Sequence, residues 1–380
     1  MKKLIYADTF SLGAFHETFN ASSLMMFSMI YSHITYRASK SSMQCVENLI
    51  GDFPPNVTYK PICIITGSSH WGSFLRLLSS AIWNITLVLL QKDDEVIYFN
   101  YNSLWATKVI NKIVKIRKTE VIITCHGEME FHKDNIKLNA LSQNCLNSFK
   151  DSRWEIADGL YFCVLGKSIL RNIQKIVPKN LSEKFISYEH SFIPHKHKER
   201  KSKDGKFRIG TIGTVRENKG LKQRIFIGNA LKGNPNILFY SLGSIMCNPY
   251  LLSQANIQFI PDSEKVFVPR DILNKYIDNM DCLIYIYPED KYKLTASGAL
   301  FDAIDREKIV LSLHNDYFDE IFRKANLGKQ FSSINELCDF LRKADLSVFN
   351  TINFEQNKYL LSYEYASKDL KDVLEKRLLI

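Results

Sequence analysis

Gly210-Thr211-Ile212-Gly213-Thr214-Val215-Arg216-Glu217-Asn218-Lys219-Gly220-Leu221 is the stretch on which the reading of the whole chain turns. A short apolar run enters it, glycines bend it, and a Lys-Gly pair stands where the following residues take up a helical period. Glycine lets the backbone approach a phosphate closely, and the amino end of a helix favours negative charge. Lys219 or Arg216 can then pair with the anion held there. The plainer alternative is an ordinary strand-to-helix turn with solvated cations.

A second stretch, Tyr285 to Ile304, has the same layout of strand, polar loop and helix. Thr295, Ser297 and Gly298 offer hydroxyls and free amides at the expected helix start, which again suits a phosphate, and Asp302 falls about one turn further on. Taken singly, a capped helix with a solvent-facing aspartate explains this stretch as well.

Outward from these, short apolar runs alternate with segments of helical period, the pattern of parallel sheets crossed over by helices. Strands are expected at Lys3 to Ala7, Ile62 to Thr66, Val96 to Asn100, Val121 to Cys125, Gly159 to Leu165 and Phe185 to Tyr188. The pattern resumes at 207–213, 237–242, 257–260, 282–287 and 309–313. Helices are expected at Glu17 to His33, Ser73 to Leu90, Leu104 to Ile116 and Lys167 to Ile176. The charged stretch 196–206 reads as a linker between a domain at 1–195 and a second at 207–353. Residues 354–380 read as one helix long enough to reach back over the first domain.

Composition agrees with two globular α/β domains. The 380 residues are 46% apolar and 24% charged, with no repeat and no low-complexity segment. None of the eight cysteines forms a CxxC pair, so they read as buried thiols in a reducing compartment. The first residues are too polar for a signal peptide, which leads us to expect a cytoplasmic protein. The formal charge is +10, with 24 Lys/Arg against 17 Asp/Glu in residues 1–200. A basic first half suits an anionic partner. Trp71 to Leu90 is the one long apolar stretch, but Arg76, three serines and Asn84 interrupt it, so a buried or membrane-facing helix is expected in preference to a spanning one.

Together the two glycine-bearing stretches resemble the nucleotide-sugar-binding domain of GT-B glycosyltransferases, and are most similar to the large family-4 group that builds bacterial capsule, O-antigen and lipopolysaccharide chains. That family carries a Gly-Arg-x-x-x-Glu-Lys-Gly turn on the donor diphosphate and a Glu-x7-Glu element on the donor nucleotide and sugar. Lys219-Gly220 matches the lysine; the arginine position falls on Thr214, with Arg216 two residues away as a stand-in. Asp302 takes the place of the second glutamate and Leu294 that of the first. The likeness covers residues 207–345 or so, and Lys308 to Ser312 resembles the strand that follows in the family.

In the first half the likeness is one of layout. Leu12-Gly13-Ala14 follows the first strand, where these enzymes have a glycine loop under the donor phosphates, and His126-Gly127-Glu128 ends a strand where many have a histidine near the acceptor. The segments 164–168 and 188–194 resemble the last two strand ends before the linker. His16, His126 and Glu128 are the candidates for acceptor recognition or proton transfer, because a general base must reach the acceptor hydroxyl from a strand-end loop. Each has a structural alternative: His16 and Glu17 opening a helix, Glu128 pairing with a lysine. Glu189-His190 reads better as structural.

The resemblance implies two Rossmann-like domains facing each other across a cleft, and a metal-independent transfer of sugar from a nucleotide-diphosphate donor, UDP- or GDP-linked, to a glycan hydroxyl. It implies no cofactor. The expected donor-binding residues are Gly13, Thr214, Arg216, Lys219, Thr295, Ser297, Gly298 and Asp302. The acceptor is expected on a membrane lipid, with peripheral contact at the inner membrane face. Walker, nucleophile-elbow, HExxH and GxGxxG signatures are missing, and the scattered basic residues carry no nucleic-acid motif. The alternatives are a catalytically silent nucleotide-sugar or glycan binding protein, which Leu294 favours, and an epimerase or phosphorylase, whose acid/base pair or pyridoxal lysine is not identifiable.

Overall fold

The computed structural model describes residues 2–65, 67, 70–132, 140–197, 204–266, 268–287 and 292–380. Thr66, linker residues 198–203 and loop residues 288–291 lie outside the described residues. The chain forms two units. One holds Met1–Ile193, Leu294–Ala296 and Leu361–Ile380, and the other holds Pro194–Lys293 and Ser297–Leu360.

The first unit is built on strands β1 (Lys3–Asp8), β2 (Ile34–Ala38), β3 (Val57–Pro61), β4 (Glu95–Tyr101), β5 (Glu120–Thr124), β6 (Leu160–Val164) and β7 (Phe185–Ser187). They form a parallel sheet in the order β3-β2-β1-β4-β5-β6-β7. Its helices are α1 (Glu17–Ser28), α2 (Lys40–Ile50), α3 (His70–Leu89), α4 (Leu104–Arg117), α5 (Ala140–Ser148), α6 (Lys167–Gln174) and α7 (Lys179–Ser182). Central strands of a parallel sheet are covered on both faces and therefore read as continuous apolar runs. In β1 every residue after Lys3 is buried.

The second unit holds β8 (Phe207–Ile212), β9 (Ile237–Leu242), β10 (Ile257–Phe259), β11 (Cys282–Tyr285), β12 (Ile309–Leu313) and β13 (Gly328–Phe331). Their order is β10-β9-β8-β11-β12-β13, parallel throughout. Between and after them run α8 (Leu221–Leu231), α9 (Pro249–Gln254), α10 (Arg270–Asp278), α11 (Ala299–Asp305), α12 (Asp316–Lys324), α13 (Ile334–Arg342), α14 (Phe354–Leu361) and α15 (Tyr363–Lys376). In both sheets the strand order reverses beside the first strand, between β1 and β4 and between β8 and β11. The crevice at the carboxyl ends of those strands is where such sheets bind ligands.

Four expectations are corrected. The strand foreseen at Ile62 to Thr66 is β3, at Val57–Pro61, an exposed edge strand whose proline is tolerated for that reason. The helix foreseen to His33 ends at Ser28, and β2 follows after a short turn. The strand foreseen through Tyr287 stops at Tyr285. The single terminal helix is two, because Ser362 stops α14 and caps α15 by accepting the Tyr365 N–H. Ala366, Leu370 and Leu374 of α15 are buried in the core of the first unit with Leu24 and Phe27 of α1.

Candidate functional site

At the carboxyl end of β1 stands Asp8, fully buried. One carboxylate oxygen accepts the Phe10 and Ser11 N–H groups at 3.1 and 2.8 Å; the other accepts the amides of Asn20, 2.6 Å, and Asn100, 3.1 Å. Four donors saturate the carboxylate and fix the loop that carries Gly13. Gly13 has φ +57, a left-handed value that glycine adopts without strain, and its N–H donates to Ser41 Oγ at 3.2 Å.

His16 takes the same left-handed region, φ 59, which for a non-glycine residue is a strained placement seen often at functional sites. Its ring stacks on His126, with centroids 4.6 Å apart, and its Nδ1 is buried with no partner among the described residues. His126 lies just past β5. Its Nε2 sits 2.7 Å from the Asn100 carbonyl and 3.0 Å from Asn100 Oδ1, an arrangement that assigns the proton to Nε2 and leaves Nδ1 to receive one. Phe19 meets both His126 and His190 edge-on. Burial pulls His126 down to about 4 and His190 to about 3, each helped by a neighbouring histidine, and burial also lowers His16 against the pull of Asp8. At neutral pH the cluster is uncharged.

Glu128 faces its own loop, where Oε2 accepts the His126 and Gly127 N–H groups, both at 3.0 Å. It orders the strand-end loop. Thr295 lies with the first unit and apart from Ser297 and Gly298, which belong to the second; its hydroxyl is 3.4 Å from where a Cβ on Gly127 would stand. Leu294 is buried, and its N–H donates to Oε1 of Glu130. Glu189 and His190 are buried and bonded to backbone at Lys167 and Ser191.

In the second unit the turn after β8 requires its glycines. Gly213 has φ +107 and Gly220 φ +79, and a side chain on Gly220 would also press on the Ile286 carbonyl at 3.2 Å. Thr214, Arg216 and Lys219 lie on this turn, which feeds directly into α8. One turn into α8 comes Arg224, 4% exposed, whose Nη1 donates to Ser241 at 3.1 Å while Nε has no partner among the described residues. Burial draws its guanidinium down to about 10, although Tyr287 and Tyr292 favour the charge. Burial also lowers Lys219, as do the positive charges of Arg216 and Arg224. No carboxylate among the described residues answers these three cations.

Asp302, on α11, accepts from Arg270 Nη2 at 2.5 Å. Ser297 is buried, with Oγ 3.3 Å from the Tyr287 hydroxyl, and Tyr287 stacks on Tyr292 at 3.8 Å. Gly298 is the residue before α11. Sequence reasoning did not single out Asp8, Asn20, Asn100, Arg224 or Arg270. The signal for Asp8 and Asn100 is a polar residue closing an apolar strand; Arg224 carries none, because a cation one turn into a helix reads as solvated.

Arg76 of α3 adds a positive charge over the β1–α1 loop, its guanidinium 4.0 Å from the Phe10 ring centroid and its Nε 2.8 Å from the Phe10 carbonyl. A cavity of about 770 Å³ lies at the other edge of the first sheet, among Lys118, Glu120, Gly159, Tyr161 and Arg377. It faces the amino ends of β5 and β6, the edge where parallel sheets do not bind their ligands.

Two parallel Rossmann-like sheets of this order make the fold GT-B. Three solved structures show the likeness over almost full length. HepE of Anabaena, solved with UDP and glucose, is 11% identical with a TM-score of 0.63, covering 99% of this chain and 100% of that one. Sucrose-phosphate synthase of Thermosynechococcus elongatus is 11% identical with a TM-score of 0.63, covering 99% and 98%. The pneumococcal O-GlcNAc transferase GtfA, solved with UDP and GlcNAc, is 10% identical with a TM-score of 0.61, covering 100% and 99%. No protein-family profile and no curated protein sequence matches the chain.

Proposed function

We propose that the protein is a glycosyltransferase, of the hexosyltransferase type, that moves a sugar from a nucleotide-diphosphate-sugar donor to a hydroxyl of a glycan acceptor. The observation that carries this is the set of Arg216, Lys219 and Arg224, two of them lowered by burial and none facing a carboxylate among the described residues. Burying cations without counter-charge is costly, and a diphosphate supplies the missing charge. As the glycosidic bond breaks, negative charge grows on the leaving diphosphate; Lys219, Arg224 and the amino end of α8 stabilise it, so the step is proposed without a metal ion or cofactor.

His126 is proposed to meet the acceptor hydroxyl through Nδ1, with Asn100 holding the ring and His16 stacked on it. The likeness of solved GT-B enzymes, and of structures containing UDP and a sugar, supports a UDP- or GDP-linked donor. The family-4 group and cell-surface polysaccharide synthesis remain the reading that the Lys219-Gly220 and Asp302 positions favour.

A lipid-linked acceptor is supported by α3. Trp71, Phe74, Leu75, Leu78 and Ile82 are exposed along one side, while Ser80 and Asn84 on the other bond Thr9. The helix is long and apolar enough to cross a membrane by length and composition, but these polar bonds tie it to the first unit. We place it on the surface of an anionic inner leaflet, with the protein in the cytoplasm.

The test is sugar transfer from a panel of nucleotide sugars to a lipid-linked glycan, read by mass spectrometry with and without Lys219→Ala. Product formed by the native chain and lost in the variant supports the proposal. Nucleotide binding with no transfer to any acceptor favours the second reading, a silent binding protein, for which the apolar Leu294 is the observation.

A further inference from the structure

Where the chain enters the second unit, His195 and His197 stand two residues apart, outside any helix or strand. Both rings turn to the same atom. His197 Nε2 lies 2.8 Å and His195 Nδ1 3.1 Å from Asp305 Oδ2, and the three atoms are all within 4.8 Å of one another. Asp305 is the last residue of α11, and its other oxygen accepts the His195 N–H at 2.7 Å, which aims Oδ2 at the rings.

We propose that His195, His197 and Asp305 form a binding site for a borderline divalent transition-metal ion, Zn²⁺ first. Two imidazoles and a carboxylate are a zinc donor set. Bond lengths of about 2.0 to 2.2 Å in a tetrahedron set ligand atoms about 3.3 Å apart. The two separations from Oδ2 need only a few tenths of an ångström of spreading, and rotation of the His195 ring, 40% exposed, brings the nitrogens to the same spacing. Exposure of that side leaves the fourth position to water.

The site has the supporting contacts that orient metal ligands. The Asp305–His195 backbone bond fixes the carboxylate, and Lys358 of α14, itself paired with Glu307 at 2.8 Å, donates to the His195 carbonyl at 3.1 Å. Lys196 stands between the two histidines in sequence. An ion here ties the entering segment to α11 and, through the Lys358 bond to the His195 carbonyl, to α14. On the first-unit side the two chain crossings are already joined, by the Phe192–Ser362 bridge and the Tyr363 N–H to the Phe192 carbonyl. The role is structural, and it stands whatever the protein transfers.

The test is titration of the full-length chain, freed of metal, with Zn²⁺ against a chromogenic chelator, and with Co²⁺ read by its visible d–d bands. We expect one ion per chain, a nitrogen- and oxygen-type Co²⁺ spectrum without thiolate charge-transfer bands, and at least a ~10-fold loss of affinity in His197→Ala. Asp305→Asn also removes a backbone anchor, so His197→Ala carries the test. Binding should weaken on acidification, because protons compete with the ion for the imidazole nitrogens. No binding, equal binding in His197→Ala, or a thiolate spectrum that places the ion on the exposed Cys63 would each overturn the site.

Discussion

The loop after β1 and the turn after β8 occupy equivalent places in two sheets of the same order, yet they treat charge in opposite ways. At the first, Asp8 is saturated by four donors and the histidines above it are neutral. At the second, Arg216, Lys219 and Arg224 face no carboxylate among the described residues, and burial penalises two of them. A site whose polar groups satisfy one another suits a neutral hydroxyl-bearing ligand. One that leaves cations unanswered suits an anion.

Removing the buried guanidinium should break this contrast most strongly. Arg224→Met is expected to weaken nucleotide-diphosphate binding roughly 100-fold, the scale of charge-assisted bonds, while leaving the unliganded protein as stable or more so, because an uncompensated buried charge is gone. Calorimetric titration and thermal melting read the two arms. A large loss of stability with unchanged binding would make Arg224 a structural residue. Lys219→Ala should weaken the same ligand by about 1.5 to 3 kcal/mol, and unchanged affinity would remove it from the site.

The first site is sharpened by pH. The unfolded histidine takes up its proton near its ordinary 6.5, and the folded His126 only near 4. Stability is therefore full above pH 6.5 and falls as pH drops toward 4, by up to about 1.4 kcal/mol per pH unit for each such histidine. His126→Gln should flatten part of that slope in denaturant titrations, and an unaltered slope would mean that His126 is not the group responsible. His126→Ala should also lower turnover with nucleotide binding intact; loss of both would make the residue structural.

The smallest effect is expected of Asp302→Asn, a few-fold on donor affinity and none on acceptor KM, since Arg270 already occupies one of its oxygens. Equal effects on both substrates would count against its placement beside the donor.

The sequence carried the sheets further than the site. β9 and β12 stand where their apolar runs placed them, and buried central strands announce themselves in this way. β2 was hidden because Ile34–Ala38 is short and follows an apolar stretch of helical period, and β3 because an edge strand alternates weakly and its apolar neighbours Ile62 and Ile64 lie beyond it. Gly213, Lys219 and Gly220 were legible since the turn depends on glycine at positive φ. Asp8, Asn20 and Asn100 were not, because Asn20 meets Asp8 across 12 residues and Asn100 meets both across 80 and more, through side-chain amides that leave no local period. Thr295 and Ser297, neighbours in sequence, fall in different units.

The central claim is that the turn after β8 holds a diphosphate, and thermal shift with UDP, GDP, CMP and dTDP tests it most directly, since a ligand that binds only the folded state raises the melting temperature with its occupancy. The account predicts a rise with one nucleoside diphosphate at millimolar concentration that vanishes in Lys219→Ala. No shift with any of the four, or an equal shift in the variant, would contradict it.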